Sequence, residues 1–279
     1  MKKLMKTWHI VPFTKMKNET LNVTLLNGER WNHASLLHEM QDDQFYYGHL
    51  GQHCLSSTAC KMLLDSPKSY YYQKKYGSEE KQSFNIGRMT HMMALEPHKF
   101  DMYYEVVPVQ SRATKKFKEH ISDREKITQA EYNEATRLSN AVLRNDQVVA
   151  MFKNCEFEVP QIGIVDDLPF RSKADIYDMS GSRLLDLKTT TNLKAFKVSA
   201  DKYGYDLQCY LYCQLFDVPF DRFQFIAVDK QSLDLGIYNV SESFFMRGKA
   251  KLERAIATYK TFFIEMEDLD SYTIRETLE

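Results

Sequence analysis

The chain has 279 residues, 43% hydrophobic and 27% charged, a composition that excludes a disordered or fibrous protein and leaves room for one large domain or two small ones. With 37 basic and 38 acidic residues the net charge is −1. That excludes a uniformly basic nucleic-acid binder, though not a DNA enzyme that segregates charge between a positive channel and a negative exterior.

Five cysteines (Cys54, Cys60, Cys155, Cys209 and Cys213) form an odd set without framework spacing, which predicts a reducing compartment. "MKKLMKTWHIVPF" lacks the apolar region of a signal peptide, and no stretch approaches about eighteen apolar residues. A soluble protein of the bacterial host cytoplasm, with no membrane partner, is expected.

In chain order, residues 1–50 alternate weakly and predict a small β-rich N-terminal extension, with the main domain over 51–279. From Leu55 the pattern turns helical. Ser56 or Ser57 is positioned as an N-cap, and Ser66-Pro67 opens a second helix with proline in its first turn. "NIGRMTHMMALEP" predicts a compact buried helix. Residues 112–126 are locally basic, and Thr128 with Glu131 predicts a capping box at the next helix. Residues 155–190 read as strands throughout. A helix follows over about 202–216, then the strand pair "RFQFIAVDK" and "LDLGIYNV", then a long helix over about 242–266.

"FRSKADIYDMSGSRLLDLKTT" reads as a hairpin about Ser180-Gly181, the glycine free to take positive φ. Pairing symmetric about that turn matches residues whose numbers sum to 361, so Asp175 faces Asp186 and Lys173 faces Lys188. Alternation then puts Arg171, Lys173, Asp175, Asp186, Lys188 and Thr190 on one face, and Ala174, Ile176, Leu185 and Leu187 on the other. Two opposed carboxylates with Cβ atoms about 5 Å apart repel each other, and a divalent cation relieves the conflict. A lysine beside such a site can orient or deprotonate water and steady charge on a phosphate. A solvated strand face laced with ion pairs is the alternative for any lone Asp-x-Lys, and the opposed Asp175 argues against it. Upstream, either Glu156 or Glu158 could add a carboxylate.

The order Gly-x-x-x-His, Glu, Asp, Asp-x-Lys, Gln-x-x-x-Tyr resembles the PD-(D/E)XK nuclease superfamily, and within it the exonuclease VIII (RecE C-terminal) branch of phages and prophages, related to the RecB nuclease domain. The stretches that carry it are "GRMTHMMALEPHKF", "CEFEV", "RSKADIYD", "LLDLKTT" and "YDLQCYLY", over about residues 55–265. The resemblance implies an α/β restriction-endonuclease-like fold, a mixed sheet flanked by helices.

It also implies metal ligands His91, Glu156, Asp175 and Asp186, with Gly87 letting the His91 helix approach closely. Glu156 fits the upstream carboxylate better than Glu158 because it directly follows Cys155. Lys188 would be the catalytic lysine, with Gln208 and Tyr212 beside the active site. Arg112, Thr114, Lys115 and Lys116 resemble a DNA-contacting stretch, and Arg171 and Lys173 join the DNA-binding set from the polar strand face. Iron–sulfur relatives use one early and three late cysteines. Cys209 and Cys213 share a helix with no third nearby, so no cluster is expected.

The activity so implied is Mg²⁺-dependent (or Mn²⁺-dependent) exonucleolytic hydrolysis from double-stranded DNA ends, giving single-stranded tails for an annealing protein in phage-type recombination. A ring-shaped homo-oligomer would thread the duplex. No G-x-x-x-x-G-K-[ST] loop is present, so unwinding is not self-powered. The rivals are an endonuclease or single-strand-specific nuclease of the same superfamily, and a DNA-binding or assembly protein of this fold without the chemistry.

Overall fold

The computed structural model describes residues 22–77 and 82–274. The basic N-terminal stretch "MKKLMKTWHIVPF" lies outside the described residues. Nine strands occur among those described: β1 Asn22–Thr24, β2 Arg30–Asn32, β3 Tyr104–Val107, β4 Glu125–Thr128, β5 Glu156–Val165, β6 Leu168–Asp178, β7 Arg183–Thr190, β8 Phe223–Asp229 and β9 Leu235–Asn239. β5 to β9 form one mixed sheet in sequence order, antiparallel except for the parallel β7–β8 pair. A parallel pair needs a crossover. Here it runs through helices Phe196–Lys202 and Tyr205–Phe216.

The sheet is covered on both faces, and its alternation shows which residues serve which layer. Leu184, Phe223, Phe225 and Ala227 join a core with helices Ser57–Asp65, Tyr205–Phe216 and Glu242–Tyr259. Leu185, Leu187, Ile226 and Val228 join a second core with Leu95 of helix Gln82–Leu95 and Leu138 of helix Gln129–Leu143. This is the helix-flanked mixed α/β sheet expected from the sequence.

Local signals set the helix starts. Ser56 caps Ser57–Asp65 by accepting from the Ala59 N–H, and Ser66 caps Pro67–Tyr76 with proline in its first turn. Thr128 and Glu131 form the reciprocal capping box. Gly248 answers a different demand. A Cβ there would stand 2.0 Å from the Asp206 carbonyl oxygen, so helix Glu242–Tyr259 reaches Tyr205–Phe216 only because residue 248 has no side chain.

Three sequence expectations change. Residues 33–53 are mostly helical rather than β-rich, with helix His33–Glu39 and a π-helical turn Phe45–His49 running into Leu50–His53. Their apolar side chains Leu36, Met40, Tyr46 and Leu50 pack with Ile162 of β5. The β6–β7 turn spans four residues, and Ser182, not Gly181, takes the left-handed conformation, with φ +44°. Gly181 instead lies close to Asp178, whose Oδ1 accepts from the Gly181 N–H, and a Cβ there would meet Asp178 Oδ2 at 2.6 Å and displace that carboxylate.

Alternation along β6 is also not uniform. The ladder follows the sum-361 register at Ile176↔Leu185, Tyr177↔Leu184 and Asp178↔Arg183, then ends. Ala174 belongs to the first core and Ile176, two residues on, to the second. The face changes opposite Glu158, whose φ is +50°. The other half of β6 bridges to Leu55, which exchanges hydrogen bonds with Pro169 and Arg171. β6 therefore leaves β7 at Asp175, and the sheet opens there.

Candidate active site

The opening in the sheet is where the charged residues collect. With no strand partner opposite, the Leu187 N–H donates to Asp175 Oδ2 at 2.7 Å, so a carboxylate does what a backbone carbonyl does elsewhere in the ladder. His91, from the last turns of helix Gln82–Leu95, brings Nδ1 to 3.4 Å from the same oxygen. A Cβ on Gly87, one turn earlier, would make an ordinary 3.6 Å contact with Thr189 Oγ1, so the helix lies close to β7 without glycine being obligatory there.

Of the two upstream glutamates, Glu158 lies in this cluster, and Glu156, which the resemblance favoured, does not. The β5–β6 register, Phe157↔Ile176 and Val159↔Ala174, leaves Glu158 facing Asp175, whereas Glu156 pairs with Tyr177 and is exposed. One ligand atom from each of His91, Glu158 and Asp175 lies within 4.8 Å of the others. The left-handed backbone at Glu158 is what turns its side chain into the opening, and strand alternation alone gives no hint of it.

Asp186, 1% exposed on β7, lies outside this group of three but near enough to Asp175 to feel its charge. Gln208 Nε2 donates to its Oδ1 at 2.6 Å, and Lys188 Nζ lies 2.5 Å from its Oδ2. That second oxygen takes no hydrogen bond of acceptable geometry among the described residues and is left to the ion pair with Lys188. A buried carboxylate oxygen left to an ion pair, next to two more carboxylates and an imidazole, is a donor set that fits a hard divalent cation.

The electrostatics follow from burial and crowding. Burial pushes the Asp186 carboxyl up to about 7; Lys188 opposes this and Asp175 adds to it. Glu158 is raised well above the usual range by burial and by Asp175. Burial lowers His91, which keeps the imidazole neutral. Lys188 is pulled down by burial, but Asp186 and Asp175 outweigh that and hold it above the ordinary lysine value.

The remaining expected residues fall into distinct places. Gln208 is buried against Asp186, and Tyr212, one turn on, is raised by burial and by its closeness to Tyr46, Asp175 and Asp186. Arg171 and Lys173 do not share the face of Lys188 as expected, because the change of face at Asp175 turns them the other way. Arg171 stacks on Tyr46 at 4.3 Å, and Lys173, 8% exposed, pairs with Asp43. Arg112 Nε donates to the buried Glu131 at 2.7 Å and so neutralises the capping box. Thr114 caps the short helix Lys115–Glu119, on which Lys115 and Lys116 are exposed.

Lys61 and Tyr205 also lie near the site, and neither is among the expected site residues. Lys61 and Lys188 both lie near the Tyr205 ring, at 5.6 and 5.0 Å from its centroid. Burial, with Lys188 adding to it, lowers Lys61 to about 8.

Comparison with known proteins bears on the whole domain. No curated protein matches the chain. A solved structure described as a candidate exonuclease from Eubacterium rectale is similar at 14% identity with a TM-score of 0.59, covering 85% of this chain and 96% of its own. A phage related exonuclease from Haemophilus somnus 129PT matches at 16% identity and TM-score 0.35, over 77% and 96%. The first likeness shows a shared fold. The model of a family described as a PDDEXK-like domain of unknown function (DUF3799) matches residues 56–268, and the chain belongs to that family.

Proposed function

We propose that the chain is a divalent-metal-dependent DNA exonuclease that hydrolyses phosphodiester bonds from duplex ends and leaves single-stranded tails. The observation that carries this reading is the convergence of His91, Glu158 and Asp175, with ligand atoms within 4.8 Å of one another, beside the buried Asp186–Lys188 pair. The Eubacterium rectale protein of the same fold is described as a candidate exonuclease, and we extend that activity to this chain. Use of the tails by an annealing protein, in phage-type recombination, extends the sequence resemblance.

His91, Glu158, Asp175 and Asp186 would hold the cation, and their oxygen-rich donor set suits Mg²⁺ or Mn²⁺. When bound, the ion would supply electrophilic stabilisation of charge developing on the phosphoryl oxygens. The protein's own groups do the rest. Lys188, held protonated by Asp186 and Asp175, orients water and donates to the phosphate rather than acting as a base. Gln208 fixes the Asp186 carboxylate, and the neutral His91 offers a lone pair in place of a proton.

The test is single-turnover cleavage of linear duplex by wild type and by Lys188→Met. The variant should bind DNA but lose at least about 100-fold in cleavage rate. Undiminished cleavage by Lys188→Met would overturn the assignment.

A further inference from the structure

Helix Pro67–Tyr76, "PKSYYYQKKY", carries more aromatic surface than its packing uses. Tyr70 faces inward, edge-on to Phe263 at 5.0 Å and Tyr259 at 6.0 Å. The other three tyrosines face solvent: Tyr71, Tyr72 and Tyr76 are 36%, 55% and 70% exposed. They are ordered against one another. The Tyr72 and Tyr76 rings stack at 6.0 Å with 17° between their planes. Lys75 Nζ sits 5.4 Å from the Tyr71 ring centroid and 5.3 Å from that of Tyr76, and donates to the Tyr71 hydroxyl at 3.2 Å.

Among the described residues, few carboxylates answer the charge here. Lys68 on the same helix pairs with Asp270, but among the described residues no carboxylate lies within ion-pair distance of Lys74 or Lys75. Lys74 donates to the Gly51 carbonyl, and a Cβ on Gly51 would stand 3.6 Å from Arg171 Nη2, so the two cations converge there. Arg171 stacks on Tyr46, beside Tyr47, which is 61% exposed and near enough to Glu158 to feel its charge. Lys74, over the inward Tyr70 ring, thus links the packed side of this helix through Arg171 and Tyr46 to the edge of the Glu158–Asp175 cluster.

Flat exposed rings around lysine ammonium groups complement a ligand with stacking faces and regular negative charge. Single-stranded nucleic acid has both, whereas a closed duplex hides its base faces. We propose that the Tyr71, Tyr72, Lys75 and Tyr76 face binds single-stranded DNA and receives the strand left after cleavage. Naming that strand as the occupant rests on the nuclease reading; the binding itself does not.

The experiment is fluorescence anisotropy, in EDTA, of the full chain with a labelled oligothymidylate of about sixteen nucleotides, the upper site size of a single-strand module. Tyr72→Ala/Tyr76→Ala should weaken binding about tenfold or more, while Tyr72→Phe/Tyr76→Phe, which keeps the stacking faces, should match wild type. Lys75→Gln should reduce the salt dependence. Equal affinity of the alanine pair and wild type would overturn the proposal. So would a change confined to self-association in sedimentation, which would assign the face to contacts between copies. Single-strand binding that needs the tyrosines, in a chain that cleaves nothing, would sustain this inference and remove the catalytic one.

Discussion

Glu158 faces Asp175 across β5 and β6 in a left-handed backbone conformation, at the point where β6 changes the face it offers the core. The local backbone is unusual, and its consequence is a second carboxylate within reach of His91 and Asp175. Glu158→Gln should therefore lower metal-dependent cleavage by about 100-fold or more, with a matching loss of cation affinity. Glu156→Gln should leave both unchanged. Calorimetric titration with Mn²⁺ and cleavage assays on the two variants check the pair, and the opposite ranking would restore Glu156.

Gln208 is the buried donor to Asp186 Oδ1. Gln208→Leu removes the donor and leaves a buried carboxylate oxygen without it, which should cost about 1–3 kcal/mol of stability. Because Asp186 then loses its fixed orientation, cleavage should fall about 10- to 100-fold. Thermal melting and turnover on the same preparation separate the two effects. A variant with wild-type turnover would show that Gln208 has no positioning role.

The pH behaviour follows from the raised carboxyls. Asp186 titrates at about 7 in the folded chain against 3.8 for an ordinary aspartate, so between those values the folded state holds a proton that the unfolded state has lost. Its contribution to stability is full below about pH 4 and is lost as pH rises through about 7. The raised Glu158 acts in the same direction. A cation competes with these protons, so the rise in melting temperature caused by Mg²⁺ or Mn²⁺ should be larger at about pH 8 than at about pH 6. Melting curves with and without EDTA at both values test the sign, and equal shifts would argue against a carboxylate site.

Gly248→Ala places a methyl group against the Asp206 carbonyl, where 2.0 Å is available. The helices must separate, at a cost of about 1–3 kcal/mol or more. Since Tyr205–Phe216 also carries Gln208, turnover should fall with stability. Denaturant unfolding and single-turnover cleavage measure the two together.

Much of this was legible in the sequence where a strict period governs the chain. The 361 register over Ile176–Asp178 and Arg183–Leu185 (not the further pairing of Asp175 with Asp186 or Lys173 with Lys188), the capping box at Thr128 and Glu131, and the serine caps of two helices were all readable because each depends on residue type at fixed spacing. The sequence could not reveal where the period breaks. A glutamate at φ +50° looks like any strand residue, so Glu156 took the place of Glu158, and Arg171 and Lys173 were placed on the face of Lys188. Asp43, Tyr46 and Tyr47 were missed for another reason. They reach Arg171 and Lys173 from more than a hundred residues away, through packing that no local pattern encodes.

The most direct test of the central claim is digestion of end-labelled linear duplex DNA beside a covalently closed circle, in Mg²⁺ and in EDTA, by wild type and by Asp186→Asn. An exonuclease built on this site should degrade only the linear DNA, only with the metal, and not when Asp186 is replaced. Cleavage of the closed circle, or metal-independent loss of the linear substrate by the Asp186→Asn variant, would contradict it.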